Sequence, residues 1–295
     1  MKRKKSTKNH KIIFLVIQII NKIGNLVLKP ILSVDHYISK SDSLLRNKNK
    51  IKLQNKRLSI YTTYKNLYED ESERILFSTL RNMHFDIIQV VNGKTSNNDK
   101  RLVKRKNLGY DLAACRDILN CLTELPEELF LINSSTEWDN LCFLNLQKTR
   151  ELSITEKKTI IFATQSKQPE EHGQSFFIYG RNQGVKDIIE AYSKHKNWFF
   201  KRTAIKYGEI PLMKSFNKED VGFLFEYETL LKLAKEYNLQ NVTWYTKERI
   251  ERGIPVNPSA DFWELLQLLG AGFKKRRYSE INRWFYILIR VMRID

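Results

Sequence analysis

The sequence predicts an α/β domain built on a mainly parallel, Rossmann-like sheet. Three observations carry that reading. Short β-branched and apolar runs alternate with segments of helical spacing from Arg57 onward, as crossover-connected parallel strands require. The run Leu129–Ile132 is wholly apolar, which marks a buried strand, and it stops at a small polar cluster, Asn133, Ser134, Ser135 and Thr136. The central part of the chain is also charge-balanced, with 29 basic and 29 acidic residues over 61–272.

Taken in order, "RLSIYTTY" at 57–64 has strand composition, and "ESERILFSTLRNM" places Ile75, Leu76 and Leu80 at helical spacing. "FDIIQVVNG" is a second strand closed by Asn-Gly, and "RLVKR" a short third one. "YDLAACRDILNCL" gathers Leu112, Cys115, Leu119 and Leu122 into one helical stripe. The Leu129–Ile132 strand follows, then "KKTIIFATQS" and "QSFFIYG" as strands. From about Gly184 the pattern is mostly helical, with "NVTWYT" near Asn241 as one more strand. Such βαβ units join by right-handed crossovers.

A formal charge of +18 first suggests nucleic acid, yet its distribution argues otherwise. Residues 1–60 hold 15 Lys and Arg against two Asp, and residues 273–295 hold seven against two acids. In both ends the charge lies beside apolar residues: "MKRKKSTKNHK" precedes "IIFLVIQII", and "RRYSEINRWFYILIRVMRID" mixes Trp284, Phe285 and Ile287 with arginines. The first run is too short and interrupted for a span, and no small-residue cleavage site follows it. Basic amphipathic helices at both ends, lying on an anionic membrane surface, are the expectation. Residues 1–56 then form a membrane-associating segment and linker, 57–272 the main domain, and 273–295 a terminal amphipathic helix. Three cysteines without a CxxC pair point to reduced thiols.

No P-loop, GxGxxG, HExxH or GxSxG occurs, and the five histidines form no ligand spacing. Chemistry is left to polar stretches at strand ends, where open α/β sheets bind ligands. These are "RKNLGYD" with Arg105, Asn107, Gly109 and Asp111; the cluster of Asn133, Ser134 and Ser135; "EEHGQSFF" with His172 and Gln174; and "GFLFEYETLL" with Glu226 and Glu228. Each has an ordinary structural use as turn, cap or strand end. Their order along one sheet is the stronger signal.

That order resembles the rhamnan-synthesis protein F type of bacterial polysaccharide glycosyltransferase, which has an Asn-x-Gly-Tyr-Asp turn, a strand ending Leu-Asn-Asp-Ser and a His-x-Gln-Ser strand. "EYETLL" and "VNPSADFWELLQLLGAGFKKRR" are similar to later segments of the same family. The resemblance spans roughly Arg57 to Asn282. It implies a nucleotide-sugar transferase of the GT-A type, acting in lipopolysaccharide, capsule or rhamnan synthesis, with rhamnose as the sugar the family name suggests. By the same token Arg105, Asn107, Gly109, Asp111, Asn133, Ser134, Ser135, His172 and Gln174 would bind the donor. Glu228 would be the general base, with Glu226 as its near competitor. The family has Asp where this chain has Ser134, so use of Mg²⁺ or Mn²⁺ stays open. The implied partners are a nucleotide-sugar donor, a lipid-linked saccharide acceptor and the anionic inner face of a bacterial cell membrane, reached from the cytoplasm. Nucleic acid is not expected. A non-catalytic scaffold relative of such transferases, or a basic nucleic-acid-binding protein, are the alternative readings.

Overall fold

The computed structural model describes residues 29–45, 50–64, 70–92, 102–106, 109–167, 170–236 and 244–275. The apolar and basic ends, 1–28 and 276–295, and Asn107 lie outside these. Residues 29–38 are helical (α1). Seven strands form the main sheet path: β1 (Arg57–Thr63), β2 (Asp86–Asn92), β3 (Leu102–Arg105), β4 (Glu128–Asn133), β6 (Ile160–Ser166), β8 (Phe177–Arg181) and β9 (Val221–Phe225). They run β3–β2–β1–β4–β8–β6–β9, and the two-residue β7 (His172–Gly173) pairs with the end of β6. The pairs β1–β2, β2–β3, β1–β4 and β6–β9 are parallel; β8 is antiparallel to both β4 and β6. The molecule is thus α/β on a mostly parallel but mixed sheet.

Strand alternation divides the core into two layers. Tyr61, Phe130, Ile132, Ile161 and Tyr179 face a cluster closed by α2 (Glu71–Asn82), α4 (Cys142–Thr155) and α8 (Tyr227–Glu236). Ile60, Leu129, Leu131, Phe162 and Ile178 face the other layer, closed by α3 (Tyr110–Leu119) and α5 (Gln183–Ser193). All six residues of β4 are buried, which is why the run is apolar throughout. Its one acid, Glu128, is held by Arg57, Arg150 and the Tyr179 hydroxyl. The start of α2 follows from Asp70, whose carboxylate accepts the Glu73 N–H at 2.9 Å and caps the first turn.

Three expectations differ from what is found. Helix α4 and the antiparallel pair β5 (Thr136–Trp138) and β10 (Phe273–Lys275) have no counterpart in the sequence reading. Trp244–Thr246, expected to be extended, opens the helix α9 (Trp244–Glu251). Residues 33–45 and 50–56, within the stretch polar enough to suggest a linker or an extension of the anchor, pack on the domain: Leu45 bridges to Arg105, Ile51 to Leu122, and Leu45 and Leu53 are buried. All three cysteines are buried and free, and among the described residues no helix is long and apolar enough to cross a membrane.

The segment before β1 is fastened by a buried ionic node. Asp117 accepts from Arg105 Nε at 2.7 Å, from Arg116 Nε at 3.0 Å and from the Leu44 N–H at 3.0 Å. Removing the shared carboxylate strands two buried guanidiniums, so Asp117→Ala should cost about 3–5 kcal/mol in urea unfolding. Beside this node, burial and then the Arg116 charge hold the His195 imidazole down to about 4 from 6.5. The unfolded chain therefore takes that proton first. Stability should be level above pH 6.5 and fall between 6.5 and about 4, by up to about 3 kcal/mol. Urea midpoints across that window check it, and His195→Leu should flatten this part of the profile.

Candidate active-site edge

The connections create a switch point. From β1 the chain moves through α2 to β2 and then β3 on one side, whereas α3 returns it to β4 on the other side of β1. Strand order therefore reverses between β1 and β4, and the carboxyl ends on either side of such a reversal are the usual ligand position in sheets of this class. Helix α3 begins there. Its entry turn needs glycine: Gly109 has φ +73°, its N–H donates to the Trp198 carbonyl at 2.9 Å, and a Cβ would lie 2.7 Å from Lys196 O and 2.8 Å from Asn197 Cα.

One turn on, Asp111 joins the ends of both strands. Thr62 Oγ1 of β1 donates to Asp111 Oδ1 at 2.9 Å, and Asn133 Nδ2 of β4 donates to Oδ2 at 2.8 Å. The Tyr64 hydroxyl, on a ring that is itself partly exposed, also donates to this carboxylate. Burial pushes the Asp111 carboxyl above its ordinary value, against these three hydrogen bonds, and the charge of Glu209 adds to the rise. Asn133 explains why β4 stops. Its Oδ1 accepts the N–H and hydroxyl of Ser135, an Asx turn that replaces ladder pairing, while the Ser134 N–H donates to Thr62 O at 2.9 Å.

Glu209 reaches this edge from a π-helical turn, Ile205–Glu209, a local geometry often found at functional sites. Its Oε1 accepts both the N–H and the hydroxyl of Ser175 at 2.8 Å. Ser175 lies just before Phe176, whose carbonyl accepts the Asn133 N–H. Thr62, Tyr64, Ser175 and Glu209 thus complete a cluster of which sequence reasoning named only Asp111, Asn133 and Ser135. Glu209 carried no spacing signal, because a π turn imposes none that repeats.

The remaining named residues lie along the same edge but farther off. Gln174, just after β7, is buried against β6, where its Oε1 accepts from Thr164 Oγ1 at 2.6 Å and its Nε2 donates to Asn257 Oδ1 at 3.0 Å. His172 is buried beside Ser166, with Nδ1 2.8 Å from Glu170 O. Glu226 and Glu228 follow the end of β9 and are exposed; Glu228 pairs with the Lys167 ammonium, which also sits 5.0 Å from the centre of the Tyr227 ring. Since β9 is three strand steps from β4, they stand roughly 14 Å from Asn133. Arg105 ends β3 fully buried and directs its guanidinium to Asp117, Asn92 and Asn197.

Among the described residues no three His, Cys, Asp or Glu come together as a metal-holding group, and Ser134 offers a neutral hydroxyl where the resembled family has a carboxylate.

No family model matches the chain. A protein of Sinorhizobium fredii (strain NBRC 101917 / NGR234) described as "Uncharacterized protein y4gN" is 30% identical over 152 residues, which is 48% of this chain and 39% of that protein. The chain therefore spans about two-fifths of that relative's length. The crystal structure of 4-diphosphocytidyl-2C-methyl-D-erythritol synthase from Anaerococcus prevotii DSM 20548 overlaps 58% of this chain and 86% of its own, at 14% identity and a TM-score of 0.36. So loose an overlap carries no argument about chemistry.

Gly109→Ala should test how tightly this entry turn is built. A methyl group at a left-handed position against carbonyl and Cα neighbours should cost about 2–4 kcal/mol, measured as a lowered urea midpoint.

Proposed function

We propose that the protein is a glycosyltransferase that moves a sugar from a nucleotide-sugar donor to a lipid-linked saccharide at the cytoplasmic face of a bacterial membrane, in the building of a cell-surface polysaccharide. The observation that supports this most directly is the polar cluster of Asp111, Asn133, Ser135, Thr62 and Tyr64 at the switch point of an α/β sheet, where nucleotide ligands bind in this class of architecture. The order of motifs along the chain, which resembles that of a polysaccharide transferase family, adds the reaction type.

In this reading the donor lies along the carboxyl edge from β1 to β6. Asn107, Gly109 and Asp111 take the nucleoside side, Asn133, Ser134 and Ser135 the ribose or diphosphate, and His172 and Gln174 the phosphates. Breaking the bond from the anomeric carbon to the diphosphate builds negative charge on the leaving group, which needs fixed donors and cations. The Ser134 and Ser135 hydroxyls, Lys167 and His172 are the groups of that kind on the edge. Arg105 serves the turn that carries Asp111 rather than reaching outward, because its donors are engaged beneath it. The acceptor hydroxyl must lose a proton to a positioned base. Glu228 takes that role, with Glu226 beside it as competitor, and it must exchange or share its Lys167 partner to do so.

Rhamnose as the transferred sugar remains the most specific form of the proposal. A thermal-shift panel of UDP-, dTDP- and GDP-sugars, with and without Mn²⁺, tests the donor class directly. At a donor concentration near 100 Kd, binding should add about 2.7 kcal/mol and raise Tm by about 5 °C or more. Asp111→Ala should abolish that shift, whereas Glu228→Gln should keep it and lose transfer. A panel in which no nucleotide sugar stabilises the chain would reject the transferase; full turnover by Glu228→Gln would remove that residue from the mechanism.

A further inference from the structure

Helix α1 is amphipathic in the wrong sense for a helix on a soluble protein. The side that faces the domain is mostly polar: Asp35 and, just past the last turn, Ser39 are buried, and His36 and Leu32 are half-buried. The side that faces outward is apolar, with Ile31 at 44%, Val34 at 58%, Tyr37 at 87% and Ile38 at 55% exposure. The Asp35 and Ser39 groups are satisfied, whereas His36 Nδ1 is buried without a hydrogen-bond partner among the described residues. The Asp35 carboxylate accepts the N–H groups of Phe199 and Phe200 at 3.0 and 3.1 Å and the Ser39 hydroxyl at 3.0 Å. The His36 carbonyl accepts from Lys196 Nζ at 3.0 Å. Those bonds hold two more exposed aromatics, Phe199 at 54% and Phe200 at 49%, beside the helix.

An outward apolar stripe continued by two Phe rings has no use in water, and so large an exposed patch marks a contact surface. Lysines lie close to this helix. Lys29 and Lys206 are close enough to Tyr207 to lower its phenol, after hydrogen bonds from Ser33 and Lys206, and Lys196 and Lys206 act on His36. Lys40 lies exposed at the far end of the helix. Asp35 is buried and engaged inward, and the exposed Asp42 is the one other acid of residues 29–45, against Lys29, Lys40, Lys196 and Lys206. The stretch of sequence that enters α1, residues 1–28, repeats the same chemistry, with "KRKK" ahead of "IIFLVIQII".

We propose that α1 and the Phe199–Phe200 corner seat the folded domain on an anionic lipid leaflet, with the apolar side chains in the headgroup region and the lysines at the phosphates. This deepens the membrane part of the proposed function and rests on it, but it concerns the folded domain rather than the chain ends. It also sets an orientation. The corner belongs to the segment whose Trp198 carbonyl holds the Gly109 turn, and Tyr110 donates to Phe199 O at 3.1 Å. The switch-point edge therefore lies beside the seated face, where a lipid-borne acceptor would arrive.

The experiment uses the full chain. Because the native cysteines are all buried, Tyr37→Cys supplies a single accessible thiol for an environment-sensitive fluorophore. The probe should shift to the blue with phosphatidylglycerol-containing vesicles and not with pure phosphatidylcholine. Phe199→Ser with Phe200→Ser should weaken sedimentation with the anionic vesicles about tenfold or more, at unchanged Tm. Sedimentation of the whole chain with no probe shift, or equal binding by the double variant, overturns the seating surface while leaving attachment through other residues intact. No sedimentation at all overturns both. A double variant that changes only the chain's own sedimentation coefficient, without vesicles, would instead assign the patch to a second copy. None of these readouts depends on donor binding or turnover.

Discussion

One carboxylate between two guanidiniums, all three out of water, is the constraint on which the candidate site depends. Asp117 is fully buried with Arg105 and Arg116, an arrangement that is favourable only if the desolvated N–H groups all find acceptors. They are met by unlike parts of the chain. Arg105 reaches Asn92, the Lys106 carbonyl and Asn197, and Arg116 reaches the carbonyls of His195 and Asp42 and the Asn197 side chain. Asn197 in turn bonds Lys40 O through its N–H and Asp42 O through its side chain. A single node thus closes β2, β3, α3, the 195–200 segment and residues 40–45 around one another. Asp111 sits six residues up the same helix, about 9 Å along its axis, so the node fixes where that carboxylate meets Thr62 and Asn133.

The strands were legible because burial on both faces leaves little room for polar residues, as in β4 and β6. What escaped reading did so for definite reasons. The inner face of α4 is Cys142, Asn145, Leu146, Thr149 and Ser153, while Phe143, Leu144 and Ile154 face outward. Its buried hydroxyls are satisfied by backbone carbonyls, as Thr149 Oγ1 is by Asn145 O at 2.7 Å, so polarity there does not mean exposure. Residues 33–56 misled in the same way. Asp35 and Ser39 look solvated in sequence, yet they are the buried side of α1. In the site, the chain order of motifs brought Asp111, Asn133 and Ser135 to one edge, but no local pattern pairs Ser175 with Glu209, which lies 34 residues away on a π turn.

The edge is electrically uneven, and that bears on how a donor could lie on it. Around the switch point stand two carboxylates, Asp111 and Glu209, close enough that the charge of one raises the other. A diphosphate placed there would be repelled, whereas sugar, ribose and base groups that donate hydrogen bonds would be welcome. Toward β6 the Ser134 and Ser135 hydroxyls are followed by His172 and by Lys167, which is paired with Glu228 and flanked by Glu171, while Glu170 pairs with Lys214. The cations at that end are already matched by carboxylates, so a donor diphosphate on this edge would compete with Glu228 for Lys167. Ser134 then has a physical reading of its own. A carboxylate at that position would add a third negative charge between the acids and the phosphates, tolerable only with a divalent cation held beside it.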